Sequence, residues 1–267
     1  MGGVLPRNWG PAFPRHATPR KQILMSAPVV ELSNVRFSWS VDSPIVIDIE
    51  ALCIANAERI FLRGPSGSGK STLLSLLAGI SRPNEGRLQV LGQDMATLGG
   101  AARDRFRADH IGFIFQMFNL IPYLSVLENV CLPCAFSERR LARATKSGGS
   151  LQAEAVRLLA HLGMADGELQ SRTATDLSVG QQQRVAAARA LIGAPELLIA
   201  DEPTSSLDED RRAAFLDLLF RECELGQITL IFVSHDASLG SLFDRVVSFA
   251  EINRAGTSWL GKPAGLS

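Results

Sequence analysis

Gly64-Pro65-Ser66-Gly67-Ser68-Gly69-Lys70-Ser71 decides the reading of this chain: it meets the spacing G-x-x-x-x-G-K-[ST] at every fixed position and lies between a strand-like and a helix-like run. The glycines let the backbone fold tightly and aim successive N–H groups at polyphosphate oxygens, and the helix that follows presents its positive N-terminus to the same charge. Lys70 is placed to reach the outer phosphates and the Ser71 hydroxyl to help hold Mg²⁺. The candidate phosphate-binding set is therefore Gly64, Pro65, Ser66, Gly67, Ser68, Gly69, Lys70, Ser71 and Thr72. The alternative, a glycine turn with an incidental lysine, requires strand and helix to fall in register by chance.

Working outward, Glu58 to Arg63 reads as the strand that enters the loop, and Lys70 to Ala78 has helical spacing that stops at Gly79. Val29 onward is strand-like, Ile45, Ile47 and Ile49 alternate, and Gly86 to Gly92 is a further strand, read as antiparallel. Ile111 to Phe115 predicts a buried strand. Residues 137–150 read as a basic loop, and Leu151 to Leu162 as an amphipathic helix with Ala155, Leu158, Leu159 and Leu162 on one stripe, closed by Gly163. That middle region has the character of an inserted helical lobe. Beyond it the pattern predicts helix 179–192, strand 196–200, helix 209–224, strand 228–233, helix 236–243 and strand 245–250.

Strand 196–200 delivers two adjacent acids, Asp201 and Glu202. Neighbouring side chains of a strand point to opposite faces, so the two are expected to differ in role. Asp201 is assigned to Mg²⁺ through water, and Glu202 to polarising the water that attacks the γ-phosphate. A solvated acid pair in the turn before Pro203 is the alternative.

Composition narrows the function classes. Of 267 residues 46% are hydrophobic and 20% charged, with 27 basic against 27 acidic side chains. That excludes a wholly disordered chain, and zero net charge argues against coating nucleic acid by bulk electrostatics. No apolar run approaches the ~20 residues of a spanning helix. Four scattered cysteines do not form a disulfide framework, and the Cys131-x-x-Cys134 pair lacks a second pair that would complete a zinc site. Residues 1–28 hold five of the 13 prolines, four basic residues and no acid. They read as a disordered leader, with contact to anionic lipid as an alternative and Met25 as a candidate translation start.

The segment Leu177-Ser178-Val179-Gly180-Gln181-Gln182-Gln183-Arg184 resembles the L-S-G-G-Q signature of ATP-binding cassette (ABC) transporter ATPases, with Val179 in place of the usual glycine. Read from the residues, Ser178-x-x-Gln181 is a capping box that opens the next helix. The resemblance adds that Ser178, Gly180 and Gln181 contact the ATP held by a second subunit. It further implies that Gln116 is the Q-loop glutamine sensing Mg²⁺ and the attacking water, and that Ser206-Leu207-Asp208 is the D-loop, with Asp208 acting across a dimer. Asp208 also reads as a helix N-cap. His235 resembles the switch histidine that contacts the γ-phosphate. Trp39 is similar to the aromatic that stacks on adenine, with Phe37 as its rival.

The resemblance covers residues 29–255, with a helical subdomain at about 117–176 and a tail at 256–267. It implies an α/β fold: a P-loop NTPase core with a mostly parallel sheet, an antiparallel β subdomain and the inserted helical subdomain. Phe113 to Val130 is similar to the ATPases of lipoprotein-releasing, macrolide-exporting and FtsE-like systems. Expected cofactors are ATP and Mg²⁺. Expected partners are a second copy, head to tail, and an integral-membrane permease of the FtsX-like type, with no nucleic acid, at the cytoplasmic face of the cell membrane. The apolar residues around Phe118, Leu120, Ile121 and Tyr123 are read either as a groove for a permease helix or as filling for the lobe's core. Two functional alternatives stand beside transport: FtsE-like signalling through a membrane partner, and a soluble ABC ATPase of repair or translation.

Overall fold

The computed structural model describes residues 27–205 and 207–255; the expected leader, the Met25 start, Ser206 and the 256–267 tail lie outside the described residues. Strands β1 (Val30–Phe37), β2 (Ile47–Ile54) and β3 (Arg59–Arg63) lead through the glycine loop into helix α1 (Lys70–Leu77). Next come β4 (Glu85–Val90), β5 (Gln93–Asp94), α2 (Gly100–His110) and β6 (Ile111–Ile114). The helical lobe contains α3 (Val126–Cys131), α4 (Glu138–Gly148) and α5 (Leu151–His161). After it the chain alternates through α6 (Val179–Leu191), β7 (Leu197–Asp201), α7 (Glu209–Gly226), β8 (Thr229–Val233), β9 (Arg245–Ser248) and α8 (Phe249–Ile252).

Two sheets result. An antiparallel sheet has the order β2-β1-β4-β5, and a parallel one the order β6-β7-β8-β3-β9. The centres of β3, β7 and β8 are apolar and buried because both faces of the sheet are covered. Ile60, Leu62, Leu197, Ile199, Ile231 and Val233 pack with α1 and the antiparallel sheet. Their strand neighbours Phe61, Leu198, Ala200, Leu230 and Phe232 face the opposite core, shared with α3, α5, α6 and α7. The expected α/β architecture, with an antiparallel sheet and an inserted helical region, is the one observed.

Several local expectations are corrected. Most of 137–150 is helix α4 and not a loop: the Ser137 hydroxyl caps it by accepting from the Arg140 N–H, and Gly149 closes it at φ 77°. The basic residues that suggested a loop are structural. Buried Arg140 donates to the carbonyls of Ile192 (2.8 Å) and Ala190 (2.7 Å) at the end of α6. The expected helix 236–243 is a 3-10 turn over Ala237–Leu242, and strand 245–250 stops at Ser248 as α8 begins. Helix α2 escapes apolar periodicity because none of its residues is fully buried.

Candidate nucleotide site at the strand ends

In the parallel sheet, β6, β7, β8 and β3 end on one edge, which is where α/β proteins bind ligands. The loop after β3, the acids ending β7, the residue after β6 and the segment after β8 thus converge. A cavity of about 380 Å³ there is lined by Trp39, Val46, Ser66, Gly67, Gly69, Lys70, Ser71, Thr72, Gln116, Asp201 and Glu202.

The loop is built for an anion. Gly67 and Gly69 hold φ of 74° and 104°, which side-chain-bearing residues rarely adopt. A Cβ on Gly69 would also lie 3.1 Å from the Val46 carbonyl oxygen. Lys70 is buried, and its ammonium donates to the carbonyls of Gly64 (2.8 Å) and Pro65 (2.7 Å), which holds the charge at the loop's centre. Asn253, far along the chain, braces this arrangement: its amide donates to Val46 O (2.9 Å) and Ser68 O (3.4 Å) and accepts from Asp48 N–H (2.8 Å). No motif marks Asn253 in the sequence; its role shows only in its burial and its hydrogen bonds.

Ser71 Oγ lies 3.5 Å from Asp201 Oδ2. Burial and the neighbouring Glu202 charge push the Asp201 carboxyl above its ordinary range, against the opposing pull of Ser71 and Lys70. Two carboxylates lining one cavity repel each other, an arrangement that a bound cation would relieve. Strand alternation does not separate the two acids as expected. The strand ends at Asp201, and Glu202 takes φ 45°, so both line the same cavity. That left-handed turn is locked by the Glu202 N–H donating to Val233 O at 2.9 Å. His235 Nδ1 sits 3.3 Å from Glu202 Oε2. The turn carrying His235 is fixed by Asp236, which pairs with Arg212 and accepts from the Ser238 N–H at 3.0 Å.

Between the two aromatic candidates the placement is clear: Trp39 is 63% exposed and lines the cavity, whereas Phe37 is buried in β1 and meets Trp39 edge-on at 5.0 Å between ring centroids. Among the expected residues, Gly64, Pro65 and Ser68 belong to the loop without lining the cavity and His235 meets it only through Glu202, whereas Ser178, Gly180, Gln181 and Asp208 lie on other elements. Ser178, Gly180 and Gln181 form the N-terminus of α6, where the capping box is present: Ser178 N–H donates to Gln181 Oε1 (2.9 Å) and Gln181 N–H to Ser178 Oγ (3.4 Å). Asp208 caps α7, accepting from the Arg211 N–H at 2.9 Å. Ser178 and Asp208 are exposed, and Gly180 and Gln181 half-buried.

The segment after Gln116 divides between the two readings given to it. Phe118 is buried in the lobe's core and Leu120 packs against that core, whereas Tyr123 is exposed. The groove beside them, about 390 Å³, is lined instead by Phe113, Phe115, Pro133, Phe136, Arg140 and Arg189 among others.

Residues 48–205 match the ABC transporter family. A lipoprotein-releasing system ATP-binding protein, LolD, from Anaeromyxobacter dehalogenans (strain 2CP-C) is 40% identical over 230 residues, covering 85% of this chain and 92% of its own. A macrolide export ATP-binding/permease protein, MacB 2, from Aeromonas hydrophila subsp. hydrophila is 37% identical over 229 residues; the match covers 85% of this chain but only 34% of that longer protein. Among solved structures, the ATP-binding cassette MJ0796, a dimer in a post-hydrolysis state bound to ADP and Pi, superposes with a TM-score of 0.70 at 33% identity, covering 82% of this chain and 93% of its own.

Proposed function

Because this chain belongs to the ABC transporter family of ATP-binding proteins, we propose that its strand-end cavity binds and hydrolyses ATP to drive a separate membrane permease. It is an ATPase subunit of a transporter complex, and the relatives named above favour export or lipoprotein release over FtsE-like signalling and over soluble repair or translation ATPases. The observation that carries the reading is the convergence of Lys70, Ser71, Gln116, Asp201 and Glu202 on one cavity, with His235 against Glu202.

In this reading the Gly64–Thr72 loop and Lys70 hold the phosphates, and Trp39 stacks on the adenine. The Ser71 hydroxyl, the Asp201 carboxylate and the Gln116 amide oxygen are hard donors that suit Mg²⁺, an ion that takes few protein oxygens and fills its shell with water and phosphate. When bound, the ion neutralises charge building on the β- and γ-phosphate oxygens. Glu202 orients and polarises the attacking water, and His235 contacts the γ-phosphate. Ser178, Gly180, Gln181 and Asp208, remote from the chain's own cavity, complete the site of a second copy arranged head to tail.

We assign residues 29–255 to the ATPase domain, with about 117–176 as its helical subdomain. The groove between Phe113, Phe115 and Phe136 is the seat for a short helix of the permease, which we take to be FtsX-like. Among the described residues no helix is long and apolar enough to cross a membrane, so in this reading the subunit sits on the cytoplasmic face through that partner. Glu202→Gln keeps the side chain's shape and removes its charge. ATP binding should persist while turnover falls on the order of 10²-fold or more. Turnover at the wild-type rate in that variant would refute the assignment.

A further inference from the structure

Arg189 lies in the last turn of α6, the helix whose first turn carries Ser178, Gly180 and Gln181, and its side chain is buried, with 9% exposed. Its guanidinium leaves α6 altogether. One arm donates to the carbonyl of Asn119 at 2.7 Å and the other to that of Phe118 at 2.5 Å. Both acceptors are strained: Phe118 has φ 59° and Asn119 φ 49°, left-handed conformations in residues that carry a Cβ. Together with Phe118 N–H to Phe115 O (2.9 Å) and Asn119 N–H to Met117 O (2.6 Å), they form a tight turn directly after Gln116. A turn with two left-handed residues turns its carbonyls to one side, where a planar, charged fork satisfies both at once. Gln116 is exposed to the cavity and held only by the backbone on either side of it, so the turn sets its position.

Arg189 and Asn119 also line the apolar groove, with Arg140 beside them. Arg140 binds the last carbonyls of α6, including that of Arg189 itself at 3.4 Å. One side chain therefore touches three things: the signature helix, the turn behind Gln116 and the surface on which a partner helix would rest.

We propose that Arg189 is a positioning residue for ATP turnover, holding the Gln116 turn to α6 through the Phe118 and Asn119 carbonyls. This rests on the reading of the cavity given above. Lysine at position 189 keeps the charge but is shorter and cannot offer two fixed parallel donors, and glutamine keeps two donors without the charge.

The test is a double-mutant cycle on the full-length ATPase. Wild type, Arg189→Lys, Arg189→Gln, Gln116→Ala and the two doubles are compared for kcat and KM for ATP, with thermal unfolding recorded for each. The expected result is kcat lowered on the order of tenfold in Arg189→Lys at unchanged KM, because the phosphate loop is untouched. In the Gln116→Ala background Arg189→Lys should cost nothing further, since its effect passes through Gln116. Additive losses would overturn the proposal, as would unfolding of both Arg189 variants, which would make the side chain a fold-stabilising one. If Gln116→Ala alone left kcat unchanged, the assignment of Gln116 in the cavity would fail instead, and the inference with it.

Discussion

Gly180→Ala separates what the α6 N-terminus does for the fold from what it does for catalysis. Gly180 is the second residue of α6, and a Cβ built there meets no atom within 4 Å. Within one chain the methyl group is therefore free of clashes, and alanine favours helix over glycine by up to ~1 kcal/mol, less in a first turn. The isolated subunit should unfold at an equal or higher temperature, by up to about 3 °C for a domain of this size. On the proposed reading the same surface lies against phosphate of the opposing copy, and the first-turn N–H groups of Val179 and Gly180 have no intrahelical acceptor. A methyl group there displaces the phosphate from at least one charge-assisted hydrogen bond, a loss of roughly 1.5–3 kcal/mol, or ten- to a hundredfold in turnover. The assay pairs nucleotide-free thermal unfolding with ATPase rates at saturating ATP. Unchanged turnover would show that no ligand approaches Gly180; a large drop in unfolding temperature would show that the glycine serves the fold.

Two further expectations concern the scaffold. Buried Asn129 accepts from Ile121 N–H (2.8 Å), and its amide donates to the carbonyls of Ile121, Leu124 and Ser125 (3.1–3.2 Å). Asn129→Asp turns a charge toward three carbonyls and should lower unfolding free energy by about 3 kcal/mol in urea titration, and an unshifted midpoint would contradict the role. At the start of β7, burial pulls the Glu196 carboxyl upward, but hydrogen bonds from His110, Arg139 and Arg143 outweigh it and hold the group at about 2, against an ordinary 4.5. A depressed folded-state value means roughly 3 kcal/mol of stability present above pH ~4.5 and lost as pH falls toward ~2. Glu196→Gln should show most of that deficit at pH 7, with the two proteins converging in acid; a pH-independent difference would refute the linkage.

What was legible in the sequence is whatever a short window encodes. The phosphate loop is readable because its spacing is its mechanism, and the capping box because Ser178 and Gln181 bond each other three residues apart. Parallel strands are readable because burial on two faces leaves apolar runs, Leu197–Ala200 in β7 and Leu230–Val233 in β8. What escaped depends on partners far along the chain. Helix α4 has local caps at Ser137 and Gly149, but its basic residue Arg140 is buried because it reaches α6 some fifty positions away, and the phosphate loop is braced by the distant Asn253. Glu202 leaves the strand register because Val233, on another strand, accepts its N–H. In each case tertiary contact overrides the local pattern, which a window of ten residues cannot contain.

The division of the expected site has a geometric consequence. Trp39, Lys70, Ser71, Gln116, Asp201 and Glu202 line the chain's own cavity and His235 pairs with Glu202 at its edge, whereas the candidates at the starts of α6 and α7 do not line it. Two copies related by a two-fold axis exchange identical contacts, so if one copy's α6 start meets its partner's cavity, the partner's α6 start must meet the first cavity. Two nucleotides are then enclosed between the copies, and each contributes to closure only when both subunits are engaged. Such a site needs no net positive charge: residues 29–267 carry 23 basic against 27 acidic side chains. Attraction is concentrated in oriented N–H groups and one buried lysine on each face, and a subunit with no large overall charge has little long-range repulsion to overcome when its copy approaches.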